Sequence, residues 1–203
     1  MLKDMPQEML YARADGGGYV TVASCGLDRQ QLLSTARDPH DIATLAFSGV
    51  LSRFPLFKLE VPDFMRLLER YFPGAGPAAA VAQALSTPER VCSAIPPEEL
   101  DDLLELFREH RRDDSEETGW LAHTIASACA GQNHLWEDMA MPNREALSQL
   151  IKKHFPTLYF KNAANLRWKK FFYKVLCDRA QARICKAPSC GVCSDYANCF
   201  GPE

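Results

Sequence analysis

The chain has 203 residues, 47% of them hydrophobic and 24% charged, which is ordinary for a globular protein and enough for one substantial core with an appendage. A formal net charge of −3 argues against general nucleic-acid binding, and no run approaches the roughly 18 apolar residues of a membrane-spanning helix. The opening "MLKDMPQEML" has neither the basic start nor the apolar stretch of a secretory signal, so a cytoplasmic protein is expected, with neither nucleic acid nor membrane as partner.

Residues 1–26 include "ADGGGY", whose glycines fit a flexible lead-in better than a phosphate cradle, because no strand-then-helix pattern brackets them. Residues 27–183 read as one irregular all-α domain. Helical spacing recurs over 28–36, 40–53, 62–72, 77–86, 117–130 and 143–154, separated by clusters such as "FPGAGP" and "RRDDSEE". Between these, Leu100, Leu103, Leu104 and Phe107 line one face of a helix that Pro96 and Pro97 start, with Glu98 and Glu99 suiting its first turn.

The last helix has two faces. In "NLRWKKFFYKVLCDRAQARIC", Trp168, Phe171, Phe172, Val175 and Leu176 form an apolar stripe that should dock on the body. Arg167, Lys170 and Lys174 form a basic stripe on another side, bordered by Cys177 and running toward the cysteines that follow. A stripe of this kind is most often plain solvated surface.

Residues 184–203 are a cysteine-rich tail. Of eight cysteines, Cys25, Cys92 and Cys129 are scattered among apolar neighbours as buried thiols usually are, whereas Cys177, Cys185, Cys190, Cys193 and Cys199 fall within residues 177–203. A secreted disulfide scaffold would spread its bridges through the chain, so metal chemistry is the better reading. After Ala187 the tail has few apolar side chains to offset an ordering cost of about 1–2 kcal/mol per residue, a deficit that metal–sulfur bonds can supply. The CxxC of Cys190 and Cys193, turning through Gly191, lets two sulfurs converge, and Arg183 and Lys186 ease thiol deprotonation. The uneven arms of four, two and five residues suit an iron–sulfur cluster; tetrahedral zinc and redox thiols remain the alternatives.

"HLWEDM", "FPTLYFKNAANLRWKKFFYKVLC" and "CKAPSCGVCSDYANCFGPE" together resemble the NifQ family, most clearly over residues 118–203. Where that family usually reads Asp-Leu-Gly-Leu after "HLW", this chain has Asp138 followed by Met139, Ala140 and Met141. The resemblance implies a carrier, not a turnover enzyme, that holds a mixed molybdenum–iron–sulfur cluster and donates molybdenum to nitrogenase cofactor assembly. It implies Cys185, Cys190, Cys193 and Cys199 as cluster ligands, and the nitrogenase iron protein and the cofactor-assembly scaffold as partners. Molybdate is an oxyanion, which makes Arg167, Lys169, Lys170 and Lys174 candidates for attracting it or for docking an acidic partner. Cys177 and His134 are accessory candidates, although a buried thiol and a helix-end histidine in a structural role are the favoured readings. His110 and His123 each stand alone on a helix without a partner at ligand spacing.

Overall fold

The computed structural model describes residues 28–54, 56, 58–75 and 97–179. The lead-in, the expected helix over 77–86, the thiols of Cys25 and Cys92 and the tail over 184–203 lie outside the described residues. Among those described, every regular element is a helix and there is no strand, in keeping with an all-α fold.

Local signals set most of the helix ends. Helix α1, Arg29–Ser34, begins where the Asp28 carboxylate accepts from the Gln31 amide, and α2, Ile42–Leu51, where Asp41 does the same for Thr44. Helix α3, Val61–Tyr71, carries Pro62 in its first turn, where a missing N–H costs nothing. Helix α4, Pro97–His110, opens on Glu98 and Glu99 and ends on Arg108 and His110, so its charges oppose its dipole at both ends. Ser115 caps α5, Glu116–Ala128, and Asn143 caps α7, Arg144–His154; between them lies the single turn α6, Leu135–Asp138.

One long helical stretch is broken in two. Pro156 cannot donate to a preceding turn and disfavours helical geometry at Phe155, which takes φ −131°, ψ 58°. The chain therefore ends α7 at His154 and restarts as α8, Pro156–Lys161. The final helix is α9, Trp168–Arg179.

Helices α2 and α5 make the centre. Eight of the ten residues of α2 are buried, Ala43 through Leu51 apart from Leu45, and nine of the thirteen in α5 are. A helix apolar nearly all round must be covered on several sides. For α2 the cover comes from α1, α5 and α7; for α5 it comes from α2, α3, α4 and α6. Gly49 permits one of these contacts, because a Cβ there would fall 2.0 Å from the Met139 carbonyl oxygen just after α6.

Both predicted apolar faces are buried. Leu100, Leu103 and Phe107 of α4 sit in the core with Leu104 packed at its edge; in α9, Trp168, Phe171, Phe172 and Leu176 are buried and Val175 packs against them. Phe107 joins the two helices, with ring centroids 5.0 Å from Phe172 and 5.1 Å from Phe155, the first pair edge-on as ring quadrupoles prefer. These contacts fix the course of α9 up to Arg179, six residues before Cys185.

Candidate functional site

The four tail cysteines lie outside the described residues, so the site is built here from what leads up to them. Helix α9 presents three sets of side chains. The first is the buried aromatic face, where Trp168 also donates from Nε1 to Ser148 Oγ at 3.1 Å. The second is the basic stripe: Arg167 and Lys174 are exposed and Lys170 is half-buried. Lys174 is paired with Asp178 at 2.6 Å, one turn on, which partly neutralises the stripe. The third is Lys169, which the sequence placed among the docking cations and the fold turns inward.

Lys169 reaches a loop made by the "GQNHLWED" segment. Its Nζ donates to the Gly131 carbonyl at 2.7 Å and to Asp138 Oδ2 at 2.5 Å. Asp138 is buried, and its carboxylate also accepts from the Asn133 backbone amide at 3.1 Å and the Asn133 side-chain amide at 2.9 Å. A buried carboxylate persists only with such a set of donors. Gly131 is required by close approach, since a Cβ on it would lie 2.2 Å from Asp138 Oδ2. Lys169 is thus a strut between two signature segments, and its charge is already answered.

His134 starts α6. It takes an extended N-cap geometry, φ −60° and ψ 146°, and its backbone N–H donates to Glu137 Oε2 at 2.9 Å, one half of a capping box. At the other end of the turn, Arg53 donates to the Glu137 carbonyl at 2.5 Å and Arg29 to the Ala140 carbonyl at 2.8 Å. Ala140 has φ 49°, left-handed geometry that glycine adopts more freely than alanine.

The thiols divide by environment. Cys129 is buried beside Lys169 and Asp138, and burial pushes its pKa up to about 12, so it is a thiol and not a thiolate ligand at neutral pH. Cys177 is half-buried on α9, between the aromatic face and the exposed side. Among the described residues no three His, Cys, Asp or Glu side chains form a group able to hold a metal ion. No helix among the described residues is long and apolar enough to cross a membrane.

Two polar clusters had no sequence signal. In one, Glu117 accepts from Tyr71 at 2.8 Å and lies within ion-pair distance of Arg70, Lys153 and His154. Burial pushes the Glu117 carboxyl up, but the Tyr71 hydrogen bond and the Lys153 and His154 charges outweigh it and hold the group below its usual range. His154 contacts Thr118 Oγ1 through Nδ1 at 3.0 Å, while its Nε2 is 3.3 Å from Glu117 without the alignment of a hydrogen bond. In the other, His110 meets Thr157, Lys161 and Arg179 from α8 and α9, so it stands alone on its helix but not in the fold. Both clusters join groups more than 30 residues apart, which no local spacing reveals.

Comparison with known proteins places these features in a family. The NifQ family model matches residues 41–201, a span that includes the Asp138 loop, α9 and all four tail cysteines. The chain is 35% identical to Protein NifQ of Azotobacter vinelandii over 156 residues, which is 71% of this chain and 77% of that protein. It is 44% identical to Protein NifQ of Rhodobacter capsulatus over 87 residues, 43% of this chain and 48% of that one. With Protein NifQ of Klebsiella pneumoniae the identity is 40% over 86 residues, 42% of this chain and 52% of the relative. No solved structure matches.

Proposed function

Since the chain belongs to the NifQ family, we propose that it is a molybdenum carrier for nitrogenase cofactor assembly, holding the metal as cargo in a mixed molybdenum–iron–sulfur cluster. The observation that carries this reading is that the family match runs through Cys185, Cys190, Cys193 and Cys199. Four soft thiolates at uneven spacing are a donor set suited to iron–sulfur chemistry, and a cluster spreads over several ångströms where a single zinc ion does not. The protein acts stoichiometrically, in the reducing cytoplasm where such thiols stay unpaired.

The roles of the other candidates follow from their surroundings. Arg167, Lys170 and Lys174, on or beside the outer side of α9, attract molybdate or an acidic surface of the nitrogenase iron protein or the assembly scaffold. Lys169 serves by fixing α9 to the Asp138 loop instead. Cys177, two residues before Arg179 on α9, is an accessory donor for metal in transit.

The deciding experiment measures iron, molybdenum and sulfide in protein produced anaerobically with molybdate, beside a Cys190→Ala variant. All three elements are expected in the parent and all three should fall together in the variant. Iron and sulfide without molybdenum would instead make the chain an electron-transfer protein, and zinc alone a metal-stabilised interaction module.

A further inference from the structure

Three helices meet at His110. It is the last residue of α4, Lys161 ends α8, and Arg179 is the last described residue of α9. A cation suits the carbonyl-rich end of α8, which accounts for Lys161 but not for both cations turning onto the same ring nitrogen. Lys161 Nζ lies 3.2 Å and Arg179 Nη2 3.3 Å from His110 Nε2.

The hydrogen bonds fix the ring's protonation state. Thr157 Oγ1 lies 3.4 Å from the His110 carbonyl, to which its hydroxyl donates, and 2.7 Å from His110 Nδ1. With its proton directed to the carbonyl, the hydroxyl oxygen accepts from Nδ1–H. A neutral imidazole has one N–H, so Nε2 is the acceptor, and its single lone pair is shared between the two cations. The ring is buried at 9% exposure, and the charged groups acting on it are Lys161 from α8, Arg179 from α9 and Glu109 from α4 itself. Glu109 is occupied, since its Oε2 pairs with Arg179 at 2.6 Å.

We propose that His110 is an acid-released latch on the turn of α9 that carries Arg179, closed while Nε2 accepts from Arg179 and Lys161 and opened when Nε2 takes a proton. Protonation turns the acceptor into a donor aimed at two cations, so both contacts are lost and a third positive charge is added among them. Arg179 keeps only its exposed pair with Glu109, of the kind that contributes little. Arg179 lies seven residues past Phe172, about two turns further along α9, so the loosening is expected around Arg179 and not at the aromatic face. Burial, then Lys161 and Arg179, hold the His110 pKa below its ordinary value, so the latch stays closed at neutral pH and opens only on acidification. The device involves no metal and stands apart from the cluster-carrier reading.

The test uses the full chain: histidine ring resonances titrated by NMR locate the His110 transition, and amide exchange of α9 is then compared at about pH 7.5 and at a pH below that transition, which lies under the usual imidazole value near 6.5. After correction for intrinsic exchange, protection around Arg179 is expected to fall about tenfold on acidification, the loss of a pair of charge-assisted bonds, while the turn at Trp168 is unchanged. His110→Gln should abolish the step. Lys161→Met, at an exposed position that the fold tolerates, should raise the His110 pKa and move the step to higher pH. A turn around Arg179 equally protected at both pH values, or a step that Lys161→Met leaves in place, would overturn the latch.

Discussion

Lys169 Nζ and Asp138 Oδ2 lie 2.5 Å apart, in a pair whose side chains are 18% and 3% exposed. This one contact ties the first turn of α9 to the loop that ends in α6. Removing the cation alone leaves a buried carboxylate with only the Asn133 donors. Lys169→Met is expected to cost about 3 kcal/mol in urea denaturation. The double variant Asp138→Asn, Lys169→Met should lose clearly less than the two single losses added together, because neither charge is then stranded. Strict additivity would mean that the pair does not act as one.

Gly131→Ala attacks the same loop by volume. A Cβ at 2.2 Å from Asp138 Oδ2 cannot be accommodated without moving the carboxylate off Lys169. A loss of about 2 kcal/mol is expected, in the range for overpacking a tight site. Because the clash is with the Asp138 carboxylate, the loss should shrink when Asp138 is already Ala, which removes those atoms.

Ala140 offers a change in the opposite direction. At φ 49° an alanine Cβ crowds its own backbone, which costs about 1–2 kcal/mol, whereas glycine takes this geometry freely. Part of the gain is lost to the greater freedom of glycine in the unfolded chain. Ala140→Gly should therefore stabilise by about 0.5–1 kcal/mol, read as a melting temperature a few degrees higher. An unchanged or lower melting temperature would show that the strain is relieved elsewhere.

Acid stability depends on the Glu117 cluster. His154 is held below its ordinary 6.5 by burial and then by Lys153, and Glu117 is held below its ordinary 4.5. In both cases the unfolded chain takes up protons at higher pH than the folded one, so falling pH favours unfolding. The His154 contribution is complete above about 6.5 and is lost as pH falls from there through the folded value; the Glu117 contribution follows below about 4.5. Melting temperature should be level between about pH 7 and 8, below the range where the buried Cys129 thiol and the Tyr71 hydroxyl begin to matter, and decline on acidification. His154→Gln should start lower and decline less steeply across the first window.

Cys129 provides a chemical check on the core. With its thiol pushed up to about 12 by burial, it should resist iodoacetamide in the native protein at about pH 8 and react once denaturant unfolds the chain. Peptide mapping by mass spectrometry reads this directly. Alkylation of Cys129 in the native state at the rate of an exposed cysteine would contradict the packing.

The apolar faces were legible because each follows from spacing along one element: Leu100, Leu103 and Phe107 in α4, and Trp168, Phe171, Phe172 and Leu176 in α9, are all buried. The family was legible from the loop, the Trp-Lys-Lys helix and the cysteine spacing together. The turn α6 was missed because four residues cannot display a helical period, and α8 because Pro156 reads as a stop before it reads as a start. Lys169 misled for a physical reason. It adjoins Trp168 at the border of the buried face, where a long aliphatic stem can carry an ammonium inward if an anion waits there, and Asp138 is 31 residues away in the chain. The partners of His110 and His154 likewise come from other helices, so composition and periodicity carry no trace of them.

The two arginines that close the α6 turn come from far upstream. Arg29 lies in α1 and Arg53 just past α2, and they hold the carbonyls of Ala140 and Glu137. The half of the molecule that bears the family's hallmarks therefore borrows two of its hydrogen-bond donors from the other half. It is not a transplantable module: a fragment beginning after residue 53 would expose those carbonyls and strip α5 of its packing on α2, and a hybrid protein receiving only that fragment should inherit the motif without its architecture.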